Sequence, residues 1–387
     1  MQKIRLLMRF LRYFLVKFLT LLLPWRAKYR EVWLFSERGC DAADNAFALF
    51  QYVKGREPKR KLYYILEKDA PCLAKVKAVG DVVPRGGFRH LCLYFLPTVK
   101  ISTHILGTSP DSGFFSSPFA KKYLRAAGKQ VFLQHGITHA NIPALHAENR
   151  PELSLFVSGS AVEYEYLKQH YGYHRDILRY LGLARFDLLG KEAPKRQILC
   201  FITWRASLSR LSAEDFMQTA YFRDISRFLS DMRLHRLLAR YDTELIFAPH
   251  FEMHRFASLF DVRSPYISVD LGDVGALIRS SAMLLTDHSS VMFDFAYKEA
   301  PVLYLNFKGL CEDHYDSRDF PLSKTGFGAV CGDMDTLLSE LESVLSGDFS
   351  VKEPYLSRMR AHFPTKDGEH RRRNYEAILD IAKREDL

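Results

Sequence analysis

Short apolar runs alternate along this chain with stretches whose apolar residues return at helical spacing. EVWLFS (31–36), KLYYIL (61–66), DVV (81–83), KISTHI (100–105), QVFLQHG (130–136) and LSLFVSGS (153–160) read as strands, and DNAFALFQYV (44–53) and FAKKYLRAAG (119–128) between them as helices. A polar interval, GKEAPKRQ (190–197), interrupts the series before ILCFIT (198–203), ELIFAPH (244–250), YISV (266–269), MLLTDHSS (283–290) and PVLYLN (301–306) resume it. Strand–helix alternation over two such stretches predicts an α/β protein of two doubly wound, Rossmann-like domains facing a cleft. The expected domains are 31–189 and 190–387, the second closing in C-terminal helices. At 387 residues the chain is long for one core, which also favours two.

The polar residues of this pattern collect at strand ends. LLTDHSSVMFDFAYKEAPVLYL (284–305) reads as strand, turn, helix, Pro301 and strand, with Thr286, Asp287, His288, Ser289 and Ser290 at the turn. One Ser or Asp there is accounted for by helix capping, but five exceed what a cap uses. A phosphate at the carboxyl edge of the sheet would use the surplus hydroxyls. His135 and Gly136, Thr203 with Trp204 and Arg205, and His250 end three other strands. Singly, each histidine has an ordinary explanation as a hydrogen-bonded structural residue, and Arg205 as an ion pair. Together they predict a ligand cleft.

Composition changes the picture little, with 48% hydrophobic and 26% charged residues as in ordinary globular proteins. The net charge of +10 matters more, because the first 30 residues hold eight Lys and Arg and no acid, leaving +2 for the remainder. A nearly neutral body excludes a broad nucleic-acid groove. The leader MQKIRLLMRFLRYFLVKFLTLLLPWR mixes cations with Leu, Phe, Tyr and Val. Spanning a bilayer would bury Arg9, Arg12 and Lys17 at about 2.5–3.5 kcal/mol each. With Arg5, Arg9 and Arg12 on one side of a helical wheel, residues 1–30 are expected to form a basic amphipathic helix lying on an anionic membrane surface, peripheral on the cytoplasmic face. Lys17 and the sequence PWRAKYR do not suit a cleaved signal peptide. Six scattered cysteines suit a reducing compartment and neither a disulfide framework nor a zinc ribbon. HGITH and HFEMH space histidines four apart, but without the glutamate of the zinc-protease motif, and no metal site is expected.

QHG, TWR, PH and TDHSSVMFDFAYKEAPVLYL together resemble the CDP-glycerol glycerophosphotransferase family of teichoic-acid primases and polymerases. The family's hydroxyl motif is matched by Thr286, Asp287, Ser289, Ser290, Phe293, Asp294 and Pro301. DNAFALF, GLARFDLL and KDGEHRRR extend the similarity over roughly residues 31–375. Gln134 stands where the family commonly has Trp, His288 where it has Tyr, and Phe251 where it has Pro.

The resemblance implies a two-domain fold of the glycosyltransferase-B type, and transfer of a polyol phosphate from a CDP-activated donor, CDP-glycerol or its ribitol counterpart, to a lipid-linked saccharide or polyol-phosphate acceptor. No cofactor beyond the donor substrate is implied. His135 would be the general base and His250 the pyrophosphate contact or leaving-group aid. Thr286, Ser289, Ser290 and Arg205 would hold the donor phosphates, and Asp294 and Asp287 the ribose. Gly136, Thr203 and Arg371 are further candidates. The alternatives are a nucleotide-sugar glycosyltransferase of the same fold and a non-catalytic membrane scaffold.

Overall fold

The computed structural model describes residues 2–191, 193–311 and 320–384. The chain forms two compact units, the first made of Met1–His135, Pro143–Asp187 and Asp367–Leu387, the second of Gly136–Ile142 and Leu188–Lys366. The main crossing between them lies at Asp187. The final helix, His370–Lys383, differs from expectation, because it belongs to the first unit rather than the second. It packs on the helix Asn45–Arg56, sets Tyr375 6.0 Å from the Trp33 ring and pairs Asp380 with Arg179 at 3.0 Å. Linear order gives no sign of such a return.

The first unit is built on β1 (Trp33–Ser36), β2 (Leu62–Leu66), β3 (Asp81–Pro84), β4 (Val99–Ser102), β5 (Gln130–Phe132), β6 (Leu153–Ser158) and β7 (Leu178–Tyr180). All pairings are parallel, in the order β3-β2-β1-β4-β5-β6-β7. Helices on both faces explain why the strands are apolar throughout: Trp33, Leu34 and Phe35 are wholly buried. The chain winds outward from β1 on one side and from β4 on the other, so the topological switch lies between them.

The second unit repeats the plan with β8 (Lys195–Phe201), β9 (Glu244–Phe247), β10 (Ile267–Val269), β11 (Ser281–Thr286), β12 (Val302–Leu305) and β13 (Val330–Cys331). Its parallel order, β10-β9-β8-β11-β12-β13, puts the switch between β8 and β11. The core gathers Phe216, Phe256, Phe247, Met283, Leu303 and Leu337, with Phe216 stacked on Phe256 at 4.1 Å.

The leader forms one helix, Gln2–Leu21. It is attached to the first unit by Tyr13, Val16 and Thr20, which are buried, Tyr13 lying 5.1 Å from Phe114 and 5.2 Å from Phe115. Its cations point differently from expectation. Arg9 pairs with Asp111 at 3.3 Å, Arg12 donates to the Gly86 carbonyl at 2.9 Å and Lys17 to the Tyr123 carbonyl at 2.9 Å. The Arg5 side chain lies outside the described residues. The surface left open is apolar: Ile4, Leu7, Leu11, Phe14, Phe18 and Leu22 are all exposed. Among the described residues no helix is long and apolar enough to cross a membrane.

Candidate active site

Both switch points carry chemistry at their carboxyl ends. In the second unit the floor is locked by buried polar residues. The Thr286 hydroxyl, fully buried, donates to the Phe201 carbonyl at 2.6 Å and ties β11 to β8. Asp287 accepts from the Thr203 amide at 3.0 Å, the Thr203 hydroxyl at 2.8 Å and Arg205 at 2.9 Å. Arg205 also donates to the carbonyls of Thr203, at 2.6 Å, and Leu310. The pair is 3% and 0% exposed, so Arg205 forms a buried ion pair and not a surface one. Thr286, Asp287, Thr203 and Arg205, expected to contact the donor, are thus bonded, at the ends of β8 and β11, to one another and to backbone carbonyls. A buried ion pair adds little net stability, but leaving either member alone is costly.

The accessible chemistry lies on the rim. His288 and Ser290 are half-buried, and Ser289 is 8% exposed with its oxygen accepting from the Val291 amide at 3.3 Å. Gly136 packs so closely against Ser290 that a Cβ there would meet the Ser290 oxygen at 2.6 Å. Asp294, on the helix Met292–Lys298, is 1% exposed, where the sequence left it between a ribose contact and a solvated position. Lys298, whose pKa burial lowers to about 8 against the pull of Asp294, donates to the carbonyls of Ile278 and Ser281, each at 2.7 Å. After β9, His250 stacks against Trp204 at 5.9 Å and lies 4.5 Å from the exposed Phe251 ring.

In the first unit His135 follows β5, and its ring lies 4.8 Å from His104, which follows β4, with only 14° between the planes. The backbone around His135 is held from several elements. Gln134 adopts φ 60°, a left-handed conformation that costs on the order of 1–3 kcal/mol for a residue with a Cβ. It is kept there because its side chain donates to the Val157 carbonyl at 2.7 Å and to the buried Glu163 at 3.0 Å, while Asn45 donates to its carbonyl at 2.8 Å. Arg185, paired with Asp44 at 2.7 Å, donates to the His135 carbonyl at 2.9 Å. Asp44 caps the helix Asn45–Arg56, and the amides of Ala43 and Asp44 ahead of it and of Phe47 in its first turn donate to Glu37.

Although His135 is exposed to solvent, the protein atoms crowded around its ring are the largest cause holding its pKa below the ordinary value. The Arg185 and Arg38 cations add to this, opposed by a hydrogen bond to the Thr103 carbonyl. With its pKa lowered to about 4 the imidazole is neutral at physiological pH, and a neutral imidazole has one ring nitrogen able to accept a proton.

Arg371, a further candidate, lies in the first unit and not with the hydroxyl cluster. Its Nε donates to the buried Asp187 at 3.2 Å, beside the amides of His370 and Arg371 at 2.9 and 2.8 Å. Its guanidinium lies 5.5 Å from the Tyr52 ring. His104, Asn45, Arg185 and Glu163 were not singled out from the sequence. Asn45 and Arg185 fall inside DNAFALF and GLARFDLL, so the similarity pointed at their segments without giving them a task. Among the described residues no three His, Cys, Asp or Glu side chains gather as a metal site.

Comparison with known proteins places this arrangement. The Minor teichoic acid biosynthesis protein GgaB of Bacillus subtilis (strain 168) is 29% identical over 376 residues, covering 91% of this chain. The chain spans 40% of that protein's length. The solved structure of the wall teichoic acid polymerase TagF, in a variant soaked with CDPG, superposes with a TM-score of 0.71 at 14% identity, over 98% of this chain and 97% of that one. S. aureus MnaA with UDP matches more distantly, at a TM-score of 0.56 and 12% identity over 92% of this chain and 99% of that one. These likenesses identify the two sheets as a TagF-like fold of the glycosyltransferase-B type. The sequence model of the CDP-glycerol:poly(glycerophosphate) glycerophosphotransferases matches residues 15–380, and the chain belongs to that family.

Proposed function

We propose that this protein transfers a glycerol phosphate unit from CDP-glycerol to a hydroxyl of a membrane-held, lipid-linked glycan or polyol-phosphate acceptor in cell-surface polymer synthesis. The acceptor oxygen attacks the β-phosphorus of the donor, its bond to CMP breaks, and the acceptor proton passes to His135. Such a transfer depends on positioning and on holding charge at phosphate oxygens. Ser289 and Ser290 donate to the donor phosphates, and His250, set between Trp204 and Phe251, meets the pyrophosphate or the leaving CMP. The observation that carries the reading is His135, a neutral imidazole at the carboxyl end of β5 stacked on His104, in a chain of this family.

The exposed apolar face of the helix Gln2–Leu21 supports peripheral attachment to the cytoplasmic leaflet, beside an acceptor that cannot leave the membrane. Arg9, 60% exposed despite its pairing, would sit at headgroup level.

The test is CMP release and product mass spectrometry with full-length protein and lipid-linked acceptors, comparing CDP-glycerol, CDP-ribitol and UDP-sugars. CMP release with a mass gain of one glycerol phosphate is expected, and His135→Ala should lower the rate by about 10² to 10⁴. Turnover of a UDP-sugar alone would establish the glycosyltransferase instead. No turnover of any donor would establish the scaffold.

A further inference from the structure

The two central strands of the first unit's switch point, β1 and β4, end in Glu37–Arg38 and Thr103–His104. His104 has no assigned task, yet it is carefully placed. Its backbone amide donates to the buried Ser102 hydroxyl at 3.1 Å, and its Nδ1 lies 3.0 Å from the Thr103 hydroxyl. The turn that follows passes so close that a Cβ on Gly107 would strike the Ser102 oxygen at 1.9 Å and the Glu37 carbonyl at 2.4 Å. Backbone and side chain thus fix the imidazole plane before it meets His135, 4.8 Å away and nearly parallel.

We infer that His104 is a positioning residue for His135: its ring forms the flat wall that holds the His135 imidazole in one plane and one tautomer, with the free nitrogen aimed at the acceptor hydroxyl. This rests on the transferase reading above. Thr103 borders both histidines, since its hydroxyl lies 3.0 Å from His104 Nδ1 and its backbone acts to raise the pKa of His135. Without the wall, the His135 ring can rotate about its side-chain bonds, and the basic nitrogen is then delivered to the acceptor only part of the time.

The surrounding charges favour a neutral wall. Arg38 follows β1, Arg85 follows β3 and Arg185 lies on the turn Ala184–Leu188. Arg38 pairs with Asp41 at 3.1 Å, Arg185 with Asp44 at 2.7 Å, and Glu37 is engaged by three backbone amides. Burial leads, followed by the His135 charge and then Arg38 and Arg85, in lowering the pKa of His104 to about 3. His104 therefore stays uncharged while His135 takes up and releases its proton, and the stacked pair never carries two positive charges.

The test uses full-length protein with isotope-labelled histidine, the His135 signals being assigned by their loss in His135→Asn. Nitrogen shifts in the wild type should report one neutral His135 tautomer and titration below the ordinary range. In His104→Ala both tautomers should appear and the titration should move up by about one unit as the open face hydrates. In His104→Phe, which keeps a flat ring, both should stay near wild type. Kinetically, His104→Ala should lose about 10- to 100-fold in kcat with donor KM unchanged, and His104→Phe should recover most of it. An unchanged tautomer and titration in His104→Ala would overturn the inference whether or not CDP-glycerol is the donor. A normal spectrum with no donor turnover in the wild type would instead overturn the transferase reading alone.

Discussion

Removing the Asp287 carboxylate would leave Arg205 buried without a counter-charge and free the Thr203 amide and hydroxyl together. Breaking one side of a buried pair typically costs about 3–5 kcal/mol, so Asp287→Ala should lower the melting temperature markedly. A variant that melts normally but binds donor poorly would return Asp287 to the ribose contact expected of it. Ser289→Ala with Ser290→Ala should behave in the opposite way, melting near wild type while donor KM rises about tenfold or more, since each hydrogen bond to a charged group contributes about 1.5–3 kcal/mol. Unchanged KM would reduce both serines to capping. The run of five polar residues was legible as a special place, but not its division of labour. Whether Thr286 or Ser290 faces a ligand depends on Phe201, Thr203 and Arg205, some eighty residues earlier in the chain, and their carbonyls and charges decide which side chains are consumed. His104 escaped notice for the same reason, because a lone histidine gains meaning only when a neighbouring strand brings His135 against it.

At the scale of elements, the central strands could be read from their apolar runs, while β7 and β13 could not. Both are edge strands: β7 has three residues including Arg179, and β13 has two, too few for a hydrophobic period. The leader was legible as an amphipathic helix, but its inner face was set by Asp111, Gly86 and Tyr123, which no local pattern reveals. A prediction follows from that orientation. Leu7→Glu with Leu11→Glu, both on the exposed face, should abolish sedimentation with anionic vesicles and leave the melt unchanged. Arg9→Ala with Arg12→Ala should weaken binding by only about 1 kcal/mol per cation. Raising salt to about 1 M should likewise reduce binding in part, because it screens charge and leaves apolar contact intact. If the arginine variant detaches while the leucine variant stays bound, the charged face and not the apolar one meets the membrane.

Across the whole molecule, acid should act through histidines buried as neutral rings. His90, fully buried, accepts from the Gly86 amide at 3.0 Å and is bonded to the Thr108 carbonyl at 2.9 Å, and burial lowers its pKa to about 4. His362, 6% exposed in the second unit, is lowered to about 4 by burial and then by His139. Because the unfolded chain takes these protons first, the stability is complete above about pH 6.5 and is lost as pH falls toward 4. Each group contributes on the order of 3 kcal/mol. Urea midpoints measured between pH 7.5 and 4.5 should fall steeply, and His90→Gln should flatten that slope while lowering the midpoint at pH 7.5. An identical slope in the variant would exclude His90 as a source. The route of the chain has a consequence in time. The helix His370–Lys383 completes the first unit, yet it is made after the whole of Leu188–Lys366. On the ribosome Leu188–Lys366 therefore emerges before Asp187 can meet the amides of His370 and Arg371, so during synthesis the first unit is expected to gain protease resistance after the second.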